Sequence, residues 1–347
     1  MAELSCPLVF PKGGRAVRRL LVFLLVVAGL LAGAVAWWVH QPLPVRAGAA
    51  GQPLELSIEP GTAPRGVAKA VVEAGVQVPP EVLFWWFRLS GQSRKIRAGS
   101  YEIAPGSTPL GLLTMLVRGE EAMRTVTLVE GWTFTQVLDA LSKAEQLKPE
   151  TRGLSPDQIM NLLGRPGQFA EGRFFPDTYT YAKGSSDVAV LRRALHAMDR
   201  HLDAAWAARR PDTPLKTPQD ALILASIVEK ETGRASDRAM VAGVFINRLR
   251  FGMLLQTDPT VIYGLGPRFD GNLRRRDLLA DTPYNTYTRV GLPPTPIAMP
   301  GRASLMAVAQ PAATRALYFV ARGDGSSQFS ATLEEHNRAV NKYQRGQ

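Results

Sequence analysis

Apolar and polar positions divide this chain into one long apolar run and a series of shorter alternating and amphipathic segments. Residues 20–39 carry no charge. About 20 helical residues rise roughly 30 Å, the thickness of a bilayer core. Lys12, Arg15, Arg18 and Arg19 precede the run, and Trp37 and Trp38 close it. Basic residues before a span hold its N-terminus in the cytoplasm, and indoles favour the interface. The expectation is a cytoplasmic segment over 1–19, an uncleaved transmembrane helix over 20–39, and everything later outside the membrane. A cleaved signal peptide is the alternative, but Trp37-Trp38-Val39-His40 is a poor cleavage site.

After a Pro/Gly/Ala-rich linker over residues 40–53, a pattern recurs. Residues 54–62, 101–108 and, more loosely, 126–133 each place a short strand before a glycine turn and a Ser or Thr helix cap. Helices follow near 64–74, 109–118 and 133–143, and another, at 80–89, carries Phe84, Trp85, Trp86 and Phe87. That aromatic cluster reads as core before it reads as a sugar platform. Residues 153–181 are less regular and hold an aromatic loop, Glu171-Gly172-Arg173-Phe174-Phe175-Pro176-Asp177-Thr178-Tyr179. A long amphipathic helix spans about 186–209, and a proline-rich break at 211–218 precedes an apolar helix at 222–232. A helix at 238–250, a hairpin of strands 316–321 and 328–331, and a closing helix at 332–343 complete the pattern. The fold class is therefore α+β: a small α+β region over 54–145, a largely helical connection over 146–218, and a mainly helical unit with a late β-hairpin over 219–347. Strand–helix–helix–strand order across 54–103 resembles a LysM-like module, which in its family binds peptidoglycan glycan.

The formal net charge of +11 suits an anionic polymer or a membrane surface, and a nucleic acid is not expected outside the cytoplasmic membrane. The single cysteine, Cys6, precedes the anchor, so the exported part forms no internal disulfide. His40, His196, His201 and His336 show no metal-ligand spacing, and no phosphate loop or nucleophile elbow is present. No metal or cofactor is expected.

One carboxylate stands out. Residues 222–232 read LILASIVEKET, and on a helical wheel Glu231 falls one turn after Ile227 and Val228, on the apolar face. Burial there raises a carboxyl pKa and makes a general acid feasible near neutral pH. Glu229 falls on the other side, near Ser226 and Lys230, and reads as solvated. Capping or pairing with an arginine is the plainer role for Glu231. Three loop-like segments cluster polar and aromatic residues: 255–264, 281–287 and 291–298. Their Tyr, Asn, Gln and Thr side chains suit a sugar polymer, because rings stack on pyranose faces and amides bond hydroxyls.

Ala225-Ser226-Ile227-Val228-Glu229-Lys230-Glu231-Thr232, Val244-Phe245-Ile246-Asn247-Arg248-Leu249, Leu255-Gln256-Thr257-Asp258-Pro259-Thr260-Val261-Ile262-Tyr263-Gly264 and Tyr284-Asn285-Thr286-Tyr287 before Gly291-Leu292-Pro293-Pro294 together resemble the YceG-like family of endolytic murein transglycosylases. One departure is Thr295, where relatives often have glycine after the double proline. Glu231-Thr232 is also similar to the Glu-Ser pair of soluble lytic transglycosylases with a lysozyme-like helical core. The resemblance implies a bacterial inner-membrane enzyme that cuts peptidoglycan glycan strands internally. It implies Glu231 as the catalytic acid in a lysozyme-like domain, with peptidoglycan synthases as partners. Gln256, Tyr263, Tyr284, Asn285 and Tyr287 are the candidates for holding glycan. Hydrolytic glycosidases need two carboxylates. A muramidase using Glu231 and Asp258 is thus one alternative, though Asp258 fits a turn or cap as well. A non-catalytic, membrane-anchored scaffold for wall synthases is another.

Overall fold

The computed structural model describes residues 14–46 and 53–346. Cys6, Lys12 and residues 47–52 of the expected linker lie outside them. The chain divides into two compact units, residues 1–122 and 123–347. The expected boundary at 145 is corrected by strand pairing, since residues 123–127 form a ladder with a strand some fifty residues later.

In the first unit, α1 (Gly14–Trp38) includes a 21-residue stretch, Arg18–Trp38, long and apolar enough to cross a membrane. Then follow β1 (Leu54–Ile58), α2 (Pro64–Glu73), α3 (Pro80–Leu89), β2 (Gly99–Ile103) and α4 (Pro109–Arg118). Strands β1 and β2 pair antiparallel with Leu56 opposite Tyr101. Leu54, Leu56 and Ile58 point inward, as alternation requires. They meet Val71, Leu83, Phe87, Tyr101 and Leu112 in one core. Proline opens α2, α3 and α4, where its missing N–H costs nothing.

The chain that leaves α1 is no free linker. Leu43 N donates to Ser107 O at 2.8 Å, Gln77 N to Pro44 O at 2.7 Å and Arg46 N to Gly75 O at 3.0 Å, while Leu110 N reaches back to Val39 O at 3.2 Å. Val39 and Leu43 are buried. Composition suggested flexibility over 40–53, and backbone pairing overrides it across 41–46.

The second unit runs β3 (Met123–Thr127), α5 (Phe134–Lys143), α6 (Pro156–Leu162), β4 (Thr178–Ala182), α7 (Asp187–Ala207), α8 (Pro218–Glu231), α9 (Ala235–Arg250), α10 (Asp258–Leu265), α11 (Arg275–Leu279), α12 (Arg302–Ala309), β5 (Tyr318–Ala321), β6 (Ser327–Ser330) and α13 (Leu333–Gln344). β3 pairs antiparallel with β4, and β5 with β6. One core gathers α5, α6 and the first half of α7 around Phe174 and Leu191. A second gathers α8, α9 and α12 around Leu224, Phe245 and Val308.

α8 lies at the centre of that second core. Thr217 and Asp220 form a capping box at its start, with Asp220 N donating to Thr217 Oγ1 at 3.1 Å. Every residue from Ala221 to Val228 is buried. Segment 295–301 crosses it: Ile297 N donates to Ser226 Oγ at 3.0 Å, and Met299 exchanges backbone bonds with Gly131 and Trp132 at 2.7–2.8 Å. The loop at 171–176 packs on the same segment. Gly172 adopts φ +76, and a Cβ added there would stand 2.4 Å from Pro296 Cβ. Gly172→Ala therefore combines left-handed strain with overpacking, about 2–4 kcal/mol together. A thermal melt of the variant should show Tm lowered by roughly 5–15 °C; an unchanged Tm would mean that this packing contributes nothing.

Candidate functional site

Glu231 is the last helical residue of α8, one turn beyond the fully buried stretch. As a residue it keeps a partly exposed edge, yet its carboxyl group is enclosed. Burial pushes its pKa up, and the nearby Asp258 charge adds to the rise. Two groups oppose it, a hydrogen bond from Thr257 and the Arg248 guanidinium. Thr257 Oγ1 donates to Glu231 Oε1.

Thr257 belongs to a buried threonine cluster. Its N–H donates to Thr286 Oγ1 at 3.1 Å, and Thr260 Oγ1 lies 2.9 Å from Thr286 Oγ1. Gln256 N donates to Thr286 O at 3.0 Å. All three threonines are at most 2% exposed. These bonds clamp the 255–257 segment to the 284–287 segment. Gln256 between them has φ +51, unusual for a residue with a side chain, and that side chain is exposed. Residues 258–265 form helix α10 rather than the expected loop.

Arg248 on α9 is enclosed beside the carboxyl. It donates through Nε to Leu317 O at 2.7 Å and through Nη1 to Leu255 O at 2.6 Å, and its guanidinium lies 5.4 Å from the Tyr318 ring centroid. Carbonyls thus satisfy a cation that would otherwise pair with the acid. Burial lowers the Arg248 pKa from its ordinary value.

The remaining expected residues fall into two groups. Tyr287 donates its hydroxyl to Asp258 Oδ1 at 2.5 Å. Asp258 is exposed, at the first turn of α10. Tyr263 and Tyr284 pack edge to face with centroids 5.0 Å apart, and Tyr284 OH lies 2.8 Å from Thr295 Oγ1. Asn285 is 1% exposed and donates to Leu278 O at 3.0 Å and Ala280 O at 2.6 Å, while its Oδ1 accepts from Tyr287 N. It therefore braces its loop, a correction to the expectation that it faces a sugar.

Glu229 also needs correcting. Its side chain is only 6% exposed, lies 3.6 Å from Arg238 and accepts Gly301 N at 2.9 Å. Glu130 faces the same cluster, and burial together with the Glu229 charge raises its pKa. The wheel failed here because α8 is covered on every side.

Glu171 is a functional candidate that sequence reasoning passed over inside an aromatic loop. It is buried, with Phe134 N donating to Oε1 at 3.0 Å and Oε2 at 3.1 Å, and Tyr263 OH donating to Oε2 at 3.0 Å. It joins the N-terminus of α5 to α10. Burial dominates these bonds and raises its pKa to about 7. Among the described residues no group of three or more His, Cys, Asp or Glu side chains is placed to hold a metal ion.

A family model described as the YceG-like family matches residues 56–342. The endolytic murein transglycosylase of Bacillus subtilis is 29% identical over 310 residues, covering 84% of each chain. That of Streptococcus pneumoniae is 25% identical over 318 residues; the match covers 82% of this chain and 57% of that one. This chain therefore spans little more than half of the pneumococcal relative. A crystal structure of a YceG-like protein from Listeria monocytogenes aligns with TM-score 0.54 at 27% identity, covering 83% of this chain and 98% of that one.

Glu171 gives a pH prediction. Its folded pKa lies above the ordinary 4.5, so the native state holds the proton more tightly than the unfolded chain. That stabilisation is complete below about pH 4.5 and is lost as pH rises through about 7. Glu171→Gln should remove this loss, flattening the decline in unfolding free energy across the window by about 3 kcal/mol. Urea titrations at several pH values test it; parallel curves for both proteins would contradict it.

Proposed function

The chain belongs to the YceG-like family, and from that premise we propose that it is a membrane-anchored lytic transglycosylase that cuts peptidoglycan glycan strands internally. The single observation that carries the reading is an enclosed carboxyl, Glu231, with a raised pKa and a neighbouring hydroxyl fixed on one of its oxygens.

In this proposal Glu231 is protonated before reaction. Thr257 holds Oε1, leaving the other oxygen to present the proton. Glu231 donates it to the glycosidic oxygen between MurNAc and GlcNAc, and that bond breaks with an oxocarbenium-like centre at MurNAc C1. The resulting carboxylate then takes the proton of the same sugar's C6 hydroxyl, whose oxygen attacks C1. A 1,6-anhydro-MurNAc end forms, Glu231 is reprotonated and no water is consumed. Arg248, held off by carbonyls, limits the cost of the transient carboxylate without depressing the acid's pKa by direct pairing.

Gln256, Tyr263, Tyr284 and Tyr287 are proposed to bind glycan, with Asn285 bracing the loop that carries Tyr284 and Tyr287. The hydroxyl of Tyr287 on Asp258 Oδ1 supports a loop-bracing role for Asp258 over that of a hydrolase's second carboxylate. The β1–α2–α3–β2 order of the first unit supports a LysM-like module in topology. α1 would hold the enzyme at the inner membrane with its N-terminus cytoplasmic, near peptidoglycan synthases, where internal cuts end the growth of nascent strands.

Mass spectrometry of products from uncrosslinked glycan strands incubated with the full chain in nanodiscs tests the reaction. Internal fragments with 1,6-anhydro-MurNAc ends are expected, and Glu231→Gln should abolish them while the fold persists. Glu229→Gln should lower stability by about 1–3 kcal/mol through its buried bonds, yet retain cleavage by the folded fraction. Ordinary reducing ends, lost in Asp258→Asn, would mean a hydrolase; no products at all would favour the scaffold. Separately, Thr257→Val removes a donor that favours the ionised acid. The basic limb of the pH–rate profile should move to higher pH, with kcat down by about 10–100-fold. An unshifted limb would remove Thr257 from the mechanism.

A further inference from the structure

Helix α3 is apolar on almost every side, which ordinary packing in a small soluble module does not require. Leu83 and Phe87 fill the core and are fully buried. A second stripe at helical spacing, Val82, Trp85 and Leu89, points the other way and is 43%, 52% and 79% exposed. This outer stripe and the end of α1 line one apolar groove of about 700 Å³, whose walls include Leu31, Val35 and Trp38 from α1. Trp38 and Trp86 meet edge to face at 6.4 Å, and the backbone bonds of residues 39–46 leave no hinge between helix and module.

Depth follows from this geometry. Leu31 to Trp38 are the last two turns of the apolar span, about 12 Å of helix. If those turns stand in lipid, whatever shares a groove with them stands at the same depth. Exposed Arg88, Arg94 and Lys95 lie at the end of α3 and just after it, where long cationic side chains reach phosphates. Glu81 is the acidic side chain on the groove's rim.

We propose that α3 is an interfacial helix: Val82, Trp85 and Leu89 are immersed in the leaflet that receives the C-terminal end of α1, and phospholipid acyl chains fill the groove between α1 and α3. The first unit is thereby seated on the bilayer by two elements rather than tethered by one. The proposal rests on the reading of α1 as a membrane span and is independent of the chemistry at Glu231.

The full chain, with Cys6→Ser as background, takes single cysteines labelled with an environment-sensitive fluorophore in phospholipid vesicles carrying doxyl lipids. Leu25→Cys reports insertion of α1, Leu89→Cys reports α3, and Ser57→Cys reports the sheet face turned away from α3. The proposal expects Leu89→Cys to emit at shorter wavelength and lose most of its emission to shallow doxyl groups, with Leu25→Cys quenched by deep ones and Ser57→Cys unaffected. Quenching at Leu25→Cys without quenching at Leu89→Cys overturns the interfacial helix and leaves the anchor standing. No quenching at Leu25→Cys overturns both. Energy transfer between Leu89→Cys labels that grows with protein-to-lipid ratio, without lipid quenching, assigns the groove to a second copy instead.

Discussion

A helix buried on all sides, ending in a carboxylate, is the constraint around which the second unit is arranged. Residues 221–228 of α8 leave no face for water, so the groups at its C-terminal end must be satisfied by protein. Gly301 and Arg238 serve Glu229, and Thr257 serves Glu231. Thr257 and Gly301 come from segments 26 and 72 residues away, so the helix end fixes where those segments pass. Ser226 does the same from within the helix, accepting Ile297 N while donating to Ile223 O.

The balance at Glu231 depends on where Arg248 directs its donors. A guanidinium in direct contact would hold the carboxyl well below neutrality. Here the donors go to the carbonyls of Leu255 and Leu317, and the charge acts at a distance. Burial is the largest influence and Arg248 the smallest, so the acid keeps a raised pKa. The threonine cluster adds rigidity: Thr257 is fixed by Thr286 and Thr260 before it touches the acid, and preorganised donors do not have to reorient during reaction.

What the sequence disclosed divides along the range of the interactions. α8, α7, the late hairpin and α13 were legible because periodicity and caps are local; the wheel also anticipated that the Glu231 carboxyl is enclosed, but it did not separate it from Glu229, which is enclosed as well. Glu229 was misread because a wheel assumes one solvent face, and the cover here comes from residues 238 and 301. α10 was read as a loop because proline and glycine punctuate its eight residues. β4 hid in an aromatic stretch because its partner β3 lies 51 residues away, at the Thr127–Thr178 pair. Glu171 carried no local signal: its burial is made by Phe134 and Tyr263, 37 and 92 residues distant.

Glu171 and Glu231 share a scaffold and a burial-raised pKa, yet their surroundings assign them different work. Both oxygens of Glu171 accept from a fixed backbone N–H at a helix N-terminus, and Tyr263 adds a third bond. Such a group fastens α5 to α10. Glu231 is held through one oxygen by a side-chain hydroxyl and retains a partly exposed edge. A raised pKa alone would nominate both carboxyls. The number of donors already in place, and the presence of an accessible edge, make Glu231 the carboxyl that suits the proposed proton transfer.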